Sequence, residues 1–124
     1  MAKHNVKGRQ GEEQALALLR SKGYEILEIN WQFIHLEADI IAKDPIKSCL
    51  VFAEVKTRSD TQYGEPELAV TKKKQRNLIN AANAFIEQRN YNGETRFDII
   101  TVLDEPDGTF AVNHIEEAFY PLLS

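Results

Sequence analysis

The sequence predicts one α/β domain, a mixed β-sheet flanked by two helices in the order αβββαβ, with a further strand after it. Three observations carry that reading. Two segments repeat apolar residues at helical spacing, the run Leu50-Val51-Phe52-Ala53 is apolar on both alternating faces, and one of the helical segments lies between that run and the next strand. A strand that is apolar on both sides needs cover on both sides, which two helices can supply. A connection of helix length joins parallel neighbours, so this strand and the next are expected to be parallel and the sheet mixed.

The elements follow in order. Ala15, Leu16, Leu18 and Leu19 share a helical face, and Lys22-Gly23 gives a basic last turn with a glycine stop, so a first helix is expected from about residue 8 to 22. Residues 25–33, 36–42 and 49–56 read as three strands of a meander, with Asp44-Pro45 as the turn between the second and third. Thr71 is a candidate N-cap for a second helix to about Asn90, whose apolar stripe is Leu78, Ile79, Ala82, Phe85 and Ile86. Asn92-Gly93 ends that unit, residues 96–103 form another strand, Pro106-Asp107-Gly108 is turn chemistry, and residues 110–115 return as a last strand. No repeat or interdomain linker interrupts the pattern, so residues 1–124 are read as a single domain.

Composition narrows the function classes. A chain of 124 residues, 43% hydrophobic and 27% charged, suits a globule with one core and excludes a disordered or fibrous chain. The apolar run at 50–53 is far too short for a membrane span, and MAKHNVKGRQ lacks the apolar stretch of a signal peptide, so a cytoplasmic protein without a membrane partner is expected. Cys49 is the only cysteine, which excludes an intramolecular disulfide and a thiolate zinc cluster. The net charge of −4 argues against nucleic-acid binding when taken whole, but it is unevenly spread. Residues 1–76 carry 13 Lys/Arg against 11 Asp/Glu, and residues 77–124 carry 2 against 8, which leaves room for a locally basic face.

The chemistry concentrates where the apolar strand leaves the core. Glu54 and Lys56 are two residues apart and project from one face of that strand, and Glu37 and Asp39 share a face of the preceding one. The meander can set Asp39 beside Glu54, accumulating negative charge that a divalent cation would offset. An Asp followed one strand later by Glu-x-Lys resembles a nuclease signature. Carboxylate oxygens suit Mg²⁺ or Mn²⁺, the ion in turn takes phosphate oxygens, and the lysine positions or deprotonates the attacking water. The same residue types also suit a solvated ion pair on a strand; their place at the end of a run apolar on both faces favours a site. Asp39, Glu54 and Lys56 are therefore the candidate catalytic residues.

Longer strings make the reading more specific. Gly8-x-x-Gly11-Glu12, Gly23-Tyr24, Asn30-Trp31, Glu37-x-Asp39-Ile40-Ile41-Ala42, Val51-Phe52-x-Glu54-Val55-Lys56-Thr57-Arg58, Tyr63-Gly64, Lys74-Gln75 and Arg96-Phe97-Asp98 span nearly the whole chain. Together they resemble the YraN-like family of small bacterial proteins. That resemblance implies a restriction-endonuclease-like core similar to Holliday-junction resolvases, with metal-dependent nuclease activity. It also implies Glu12 as an acid that approaches the metal site and Gln75 as a residue near it. Two departures stand out: Leu36-Glu37-Ala38-Asp39 occupies a stretch that commonly reads Gly-Glu-Ile-Asp, and Gln32 stands where Arg is common.

Lys72, Lys73, Lys74 and Arg76 crowd the start of the second helix, where the macrodipole disfavours cations. They are read either as a solvated face or as a phosphate-binding surface with Gln75, extended by Arg58 and by the polar segment 59–66. His4, His35 and His114 lack metal-ligand spacing and are expected to be ordinary surface or packing residues; Tyr24 and Trp31 are expected in the core, and Asp98 in a buried structural role. The expectation is a nuclease acting on DNA rather than RNA, with Mg²⁺ or Mn²⁺ held by Asp39 and Glu54 and with Glu12 and Glu37 as auxiliary ligands. Its rival is a non-catalytic nucleic-acid-binding or scaffold protein on the same fold. The sequence leaves a homodimer open.

Overall fold

The computed structural model describes residues 6–58 and 70–121 and arranges them as α1 (Val6–Ser21), β1 (Glu25–Phe33), β2 (Leu36–Asp44), β3 (Cys49–Arg58), α2 (Lys72–Arg89), β4 (Thr95–Asp104) and β5 (Phe110–Phe119). The strands form one sheet in the order β1-β2-β3-β4-β5, antiparallel throughout except for the parallel β3–β4 pair, which α2 connects. The fold is thus α/β with the expected αβββαβ order, and β5 closes the far edge. Residues 59–66, Tyr63-Gly64 among them, and His4 lie outside the described residues.

The alternation on β3 explains the layering. Leu50 and Phe52 join Leu78, Ala82 and Phe85 of α2 in one core cluster, whereas Cys49, Val51 and Ala53 join Ala15, Leu16 and Leu19 of α1 in another. Each large aliphatic or aromatic side chain buried in this way contributes roughly 1.5–3 kcal/mol. Tyr24 is buried and Trp31 packs against the α2-side core, both as expected.

Local signals fix the helix ends. The Thr71 side chain accepts a hydrogen bond from the Lys74 N–H at 3.2 Å, and Asn90 ends α2 in the left-handed region at φ 56°. Gly23, at φ 85°, ends α1, and the Tyr24 N–H reaches back to the Leu19 carbonyl at 3.0 Å. Gly11 is required for a different reason: a Cβ there would overlap the Thr57 side chain, so the glycine lets α1 lie directly on β3.

The structure extends two elements beyond the sequence reading and shows how the first hairpin turns. Helix α1 is described from Val6, two residues earlier than expected. Strand β5 continues past Ile115 to Phe119, because a bulge opposite Phe97–Ile99, with Glu117 at φ 53°, absorbs the charged Glu116-Glu117 pair that breaks the alternation. The β1–β2 hairpin turns on Ile34-His35, with Phe33 paired to Leu36 and Ile34 at φ 59°. A two-residue hairpin with positive φ at its first central position favours glycine there, and a β-branched residue in that region is strained by about 1–2 kcal/mol.

Candidate functional site

The β2–β3 ladder runs from Asp44–Cys49 to Ile40–Ala53 and stops there; Asp39 and Glu54 are the next positions in register. Instead of a further ladder bond, Asp39 Oδ2 accepts the Val55 N–H at 2.9 Å. The strands part at these two acids, and a cleft of about 790 Å³ opens between them and the first turns of both helices. Gly8 and Glu12 of α1 line one side, and Lys73, Lys74 and Arg76 of α2 line the other.

Glu12, Glu37, Asp39, Glu54, Lys56, Lys73, Lys74 and Arg76 all reach this cleft. Arg58, Lys72 and Gln75 do not line it. Gln75 Nε2 instead donates to the Val70 carbonyl at 3.1 Å, tying down the chain that enters α2. Glu54 is buried, and the Lys74 ammonium meets its Oε2 at 3.2 Å. Burial, then the Glu54 charge, pushes the Asp39 carboxyl up to about 7; the Val55 hydrogen bond opposes them, and Glu12 and Glu37 add smaller upward contributions. Glu54 likewise holds the Lys74 ammonium above its ordinary value despite partial burial.

The sequence reading missed the side chains that position the acids. Asn30 Nδ2 donates to Glu12 Oε1 at 3.1 Å, which turns Glu12 inward from the helix surface. Asn77 Oδ1 accepts the Glu37 N–H and its Nδ2 donates to the His35 carbonyl, each at 3.1 Å, so it fastens the start of β2 to α2. A signal for Asn77 existed: Lys73, Asn77 and Asn80 recur at i, i+4 and i+7, a polar stripe on one helix face.

A second polar cluster lies at the opposite end of β3 and on the α1 side. Arg96 Nε and Nη2 each donate to Asp98 at 2.9 Å, Nη1 donates to Asp44 Oδ2 at 2.8 Å, and Nη2 also reaches Tyr24 Oη at 2.7 Å. Burial would raise both aspartates; His114 and Arg96 hold Asp98 below the ordinary carboxylate range, and Arg96 with two backbone N–H groups does so for Asp44. Asp98 thus has the structural role expected of it. His114 is more than a packing residue, since its Nε2 lies 2.7 Å from Asp98 Oδ2 within this network.

The acids in the cleft fit a divalent cation by donor chemistry. Among the described residues no three His, Cys, Asp or Glu side chains form a ready ligand set. A pair of carboxylates supplies oxygen donors only, which suits a hard cation such as Mg²⁺, commonly held by one or two carboxylates together with waters and substrate phosphates. Asp39 and Glu54 form such a pair.

Among the described residues no helix is long and apolar enough to cross a membrane. A family model described as uncharacterised protein family UPF0102 matches residues 11–102. A UPF0102 protein of Phocaeicola vulgatus is 46% identical over 121 residues, covering 98% of each chain. Another from Bacteroides thetaiotaomicron is 45% identical over 99% of each, and one from Pelobacter propionicus is 43% identical over 90% of this chain and 81% of its own. The matched span runs from Gly11 through the cleft acids to Val102 on β4, so the chain belongs to family UPF0102, the YraN family that its motifs resemble.

Proposed function

We propose that this protein is a metal-dependent nuclease that cleaves DNA by attack of water on a phosphodiester. The observation that carries the reading is the pairing of Asp39 and Glu54 where β2 and β3 part, in a cleft whose other wall is basic. A buried Glu54 and a half-buried Asp39, opposite each other where the ladder ends, repel each other, and a fold has no structural need for that repulsion there. A bound Mg²⁺ or Mn²⁺ would supply charge neutralisation at the scissile phosphate and a more acidic water. Asp39 and Glu54 would hold that ion, with Glu12 and Glu37 beside them. Lys56, on the same face of β3 as Glu54, orients the attacking water and offsets charge developing on phosphorus oxygens. Lys73 and Arg76 grip flanking phosphates, and Lys72 and Arg58 extend the basic track outside the cleft. The water oxygen forms the new P–O bond, the bond to the sugar oxygen breaks, and that oxygen leaves with a proton from solvent.

The test uses end-labelled linear, flapped and four-way DNA with Mg²⁺, Mn²⁺ or chelator. Cleavage that requires metal and falls on the order of 10²-fold or more in a folded Lys56→Ala variant supports the reading. Calorimetry should find Mn²⁺ binding that weakens in Asp39→Asn and Glu54→Gln. Replacing Lys73 and Arg76 with Gln should lower the slope of DNA affinity against salt by about 0.9 per lost phosphate contact. DNA binding without cleavage on any substrate overturns the nuclease and leaves a binding protein.

A further inference from the structure

Beyond the Ile40–Ala53 pair the sheet divides into two arms. Residues 31–33 and 36–38 stay paired as the end of the β1–β2 hairpin, whereas β3 continues alongside β4. Glu37 and Asp39 therefore belong to the hairpin arm, Glu54 and Lys56 to the β3 arm, and all four line the cleft between them. The Val55 N–H, donating to Asp39 Oδ2 at 2.9 Å, joins the arms directly. Helix α2 joins them a second time. Lys74 meets Glu54 Oε2 on the β3 arm at 3.2 Å, and one turn later Asn77 takes the hairpin arm with both ends of its amide. Its Oδ1 accepts the Glu37 N–H and its Nδ2 donates to the His35 carbonyl, each at 3.1 Å. An amide can do both at once; a carboxylate lacks the donor and an ammonium the acceptor.

We propose that Asn77 is a positioning residue of the metal site: by latching the hairpin arm to α2 it fixes the spacing of Asp39 and Glu54, and that spacing selects a small divalent cation over a larger one. The inference rests on the proposed metal-dependent activity and adds how its ion is chosen. Both polar ends of Asn77 are engaged by backbone groups, so it acts through the acids and not by touching the ion. Repulsion between Asp39 and Glu54 pushes the arms apart, and the latch opposes it. Mg²⁺ demands oxygens at about 2.0–2.1 Å in near-octahedral order, whereas Ca²⁺ accepts them at about 2.3–2.6 Å in irregular arrangements. A loosened latch therefore weakens the small ion more than the large one, with Mn²⁺ standing in for Mg²⁺.

The test uses Asn77→Ala in the full chain. Asn77 is half-buried and alanine suits a helix interior, so the variant folds. Amide hydrogen exchange on metal-free protein reads the latch: the Val55 N–H should lose protection by about tenfold or more, while Val51 and Ala53, inside the β2–β3 ladder, keep theirs. Calorimetry then reads the ions. Mn²⁺ binding should weaken by about tenfold or more and Ca²⁺ binding by less than about threefold. Asn80→Ala, an exposed neighbour on the same cleft wall, should change neither readout. Unchanged Val55 protection in Asn77→Ala overturns the latch, and an equal loss for both ions overturns its part in selection. Failure of the metal-site reading looks different: a parent that binds neither Mn²⁺ nor Ca²⁺ overturns the site and the selection with it, even where Val55 still loses protection in the variant.

Discussion

Two aspartates on this sheet use a carboxylate oxygen to take a backbone N–H where regular pairing is interrupted, and their surroundings are opposite. Asp98 accepts the Glu117 N–H at the β5 bulge and is further met by Arg96 and His114. Asp39 accepts the Val55 N–H where β2 and β3 part, and its other neighbours are the like charges of Glu54, Glu12 and Glu37. Asp44, the other acid met by Arg96, pairs with Cys49 five residues of β3 (roughly 17 Å) before Glu54, whereas Asp98 is level with Ala53, on the other side of β3 from Asp39. One end completes its charges with a buried arginine; at the other, like charges crowd Asp39 and the cation that meets Glu54 is an exposed lysine. The difference separates a structural charge cluster from a site.

Breaking the paired end should have the largest effect. Arg96→Met leaves Asp44 and Asp98 buried without their cation and should cost about 3–5 kcal/mol in urea unfolding at neutral pH. Both acids are depressed in the folded protein, so their contribution is present above their ordinary value of 3.8 and is lost as pH falls through the lower folded value. The variant should lose that acid-side decline, because uncompensated carboxylates gain from protonation. An unchanged stability in Arg96→Met would show that the network adds nothing net.

The cleft end should respond to pH with the opposite sign. Asp39 is raised from 3.8 to about 7, so between those values the folded protein holds a proton that the unfolded chain has released, and stability falls as pH rises through that window. Asp39→Asn keeps an acceptor for the Val55 N–H and removes the repulsion. At pH 8 it should stabilise the protein by an amount on the order of 1–2 kcal/mol and flatten the neutral side of the profile. A loss of stability at pH 8 would instead make the carboxylate part of the scaffold.

The two ends were unequally legible in the sequence. The double-faced run Leu50–Ala53 fixed β3 in the centre, and the spacing of Glu54 and Lys56 on a strand was enough to put both in one cleft. Asp39 was legible because a meander has one simple register. His114 was not, since its approach to Asp98 depends on β5 pairing across a bulge that no local residue type announces. Asn30 and Ile34 were hidden for a related reason: their positive φ values are imposed by pairing on either side, against their own preference. The basic start of α2 was legible as a cluster, but not its division between Lys73, Lys74 and Arg76 in the cleft and Lys72 and Gln75 outside it.

Lys74 gives the smallest and most discriminating comparison, because it meets a buried acid as Arg96 does but from an exposed side chain. Its Nζ lies 3.2 Å from Glu54 with the lysine side chain 56% exposed, whereas Arg96 and Asp98 are 5% and 0% exposed. Water screens the exposed partner and the flexible side chain loses entropy on pairing, so Lys74→Gln should change stability by less than about 1 kcal/mol. The same substitution removes the cation that now neutralises Glu54, so Mn²⁺ binding measured by calorimetry should tighten even though the protein is no more stable. Tighter metal binding with unchanged stability would identify Lys74 as a resident counter-charge that an ion displaces. A large loss of stability would instead place Glu54 and Lys74 with the Arg96 network, as a structural pair, and the contrast between the two ends of the sheet would fail at that point.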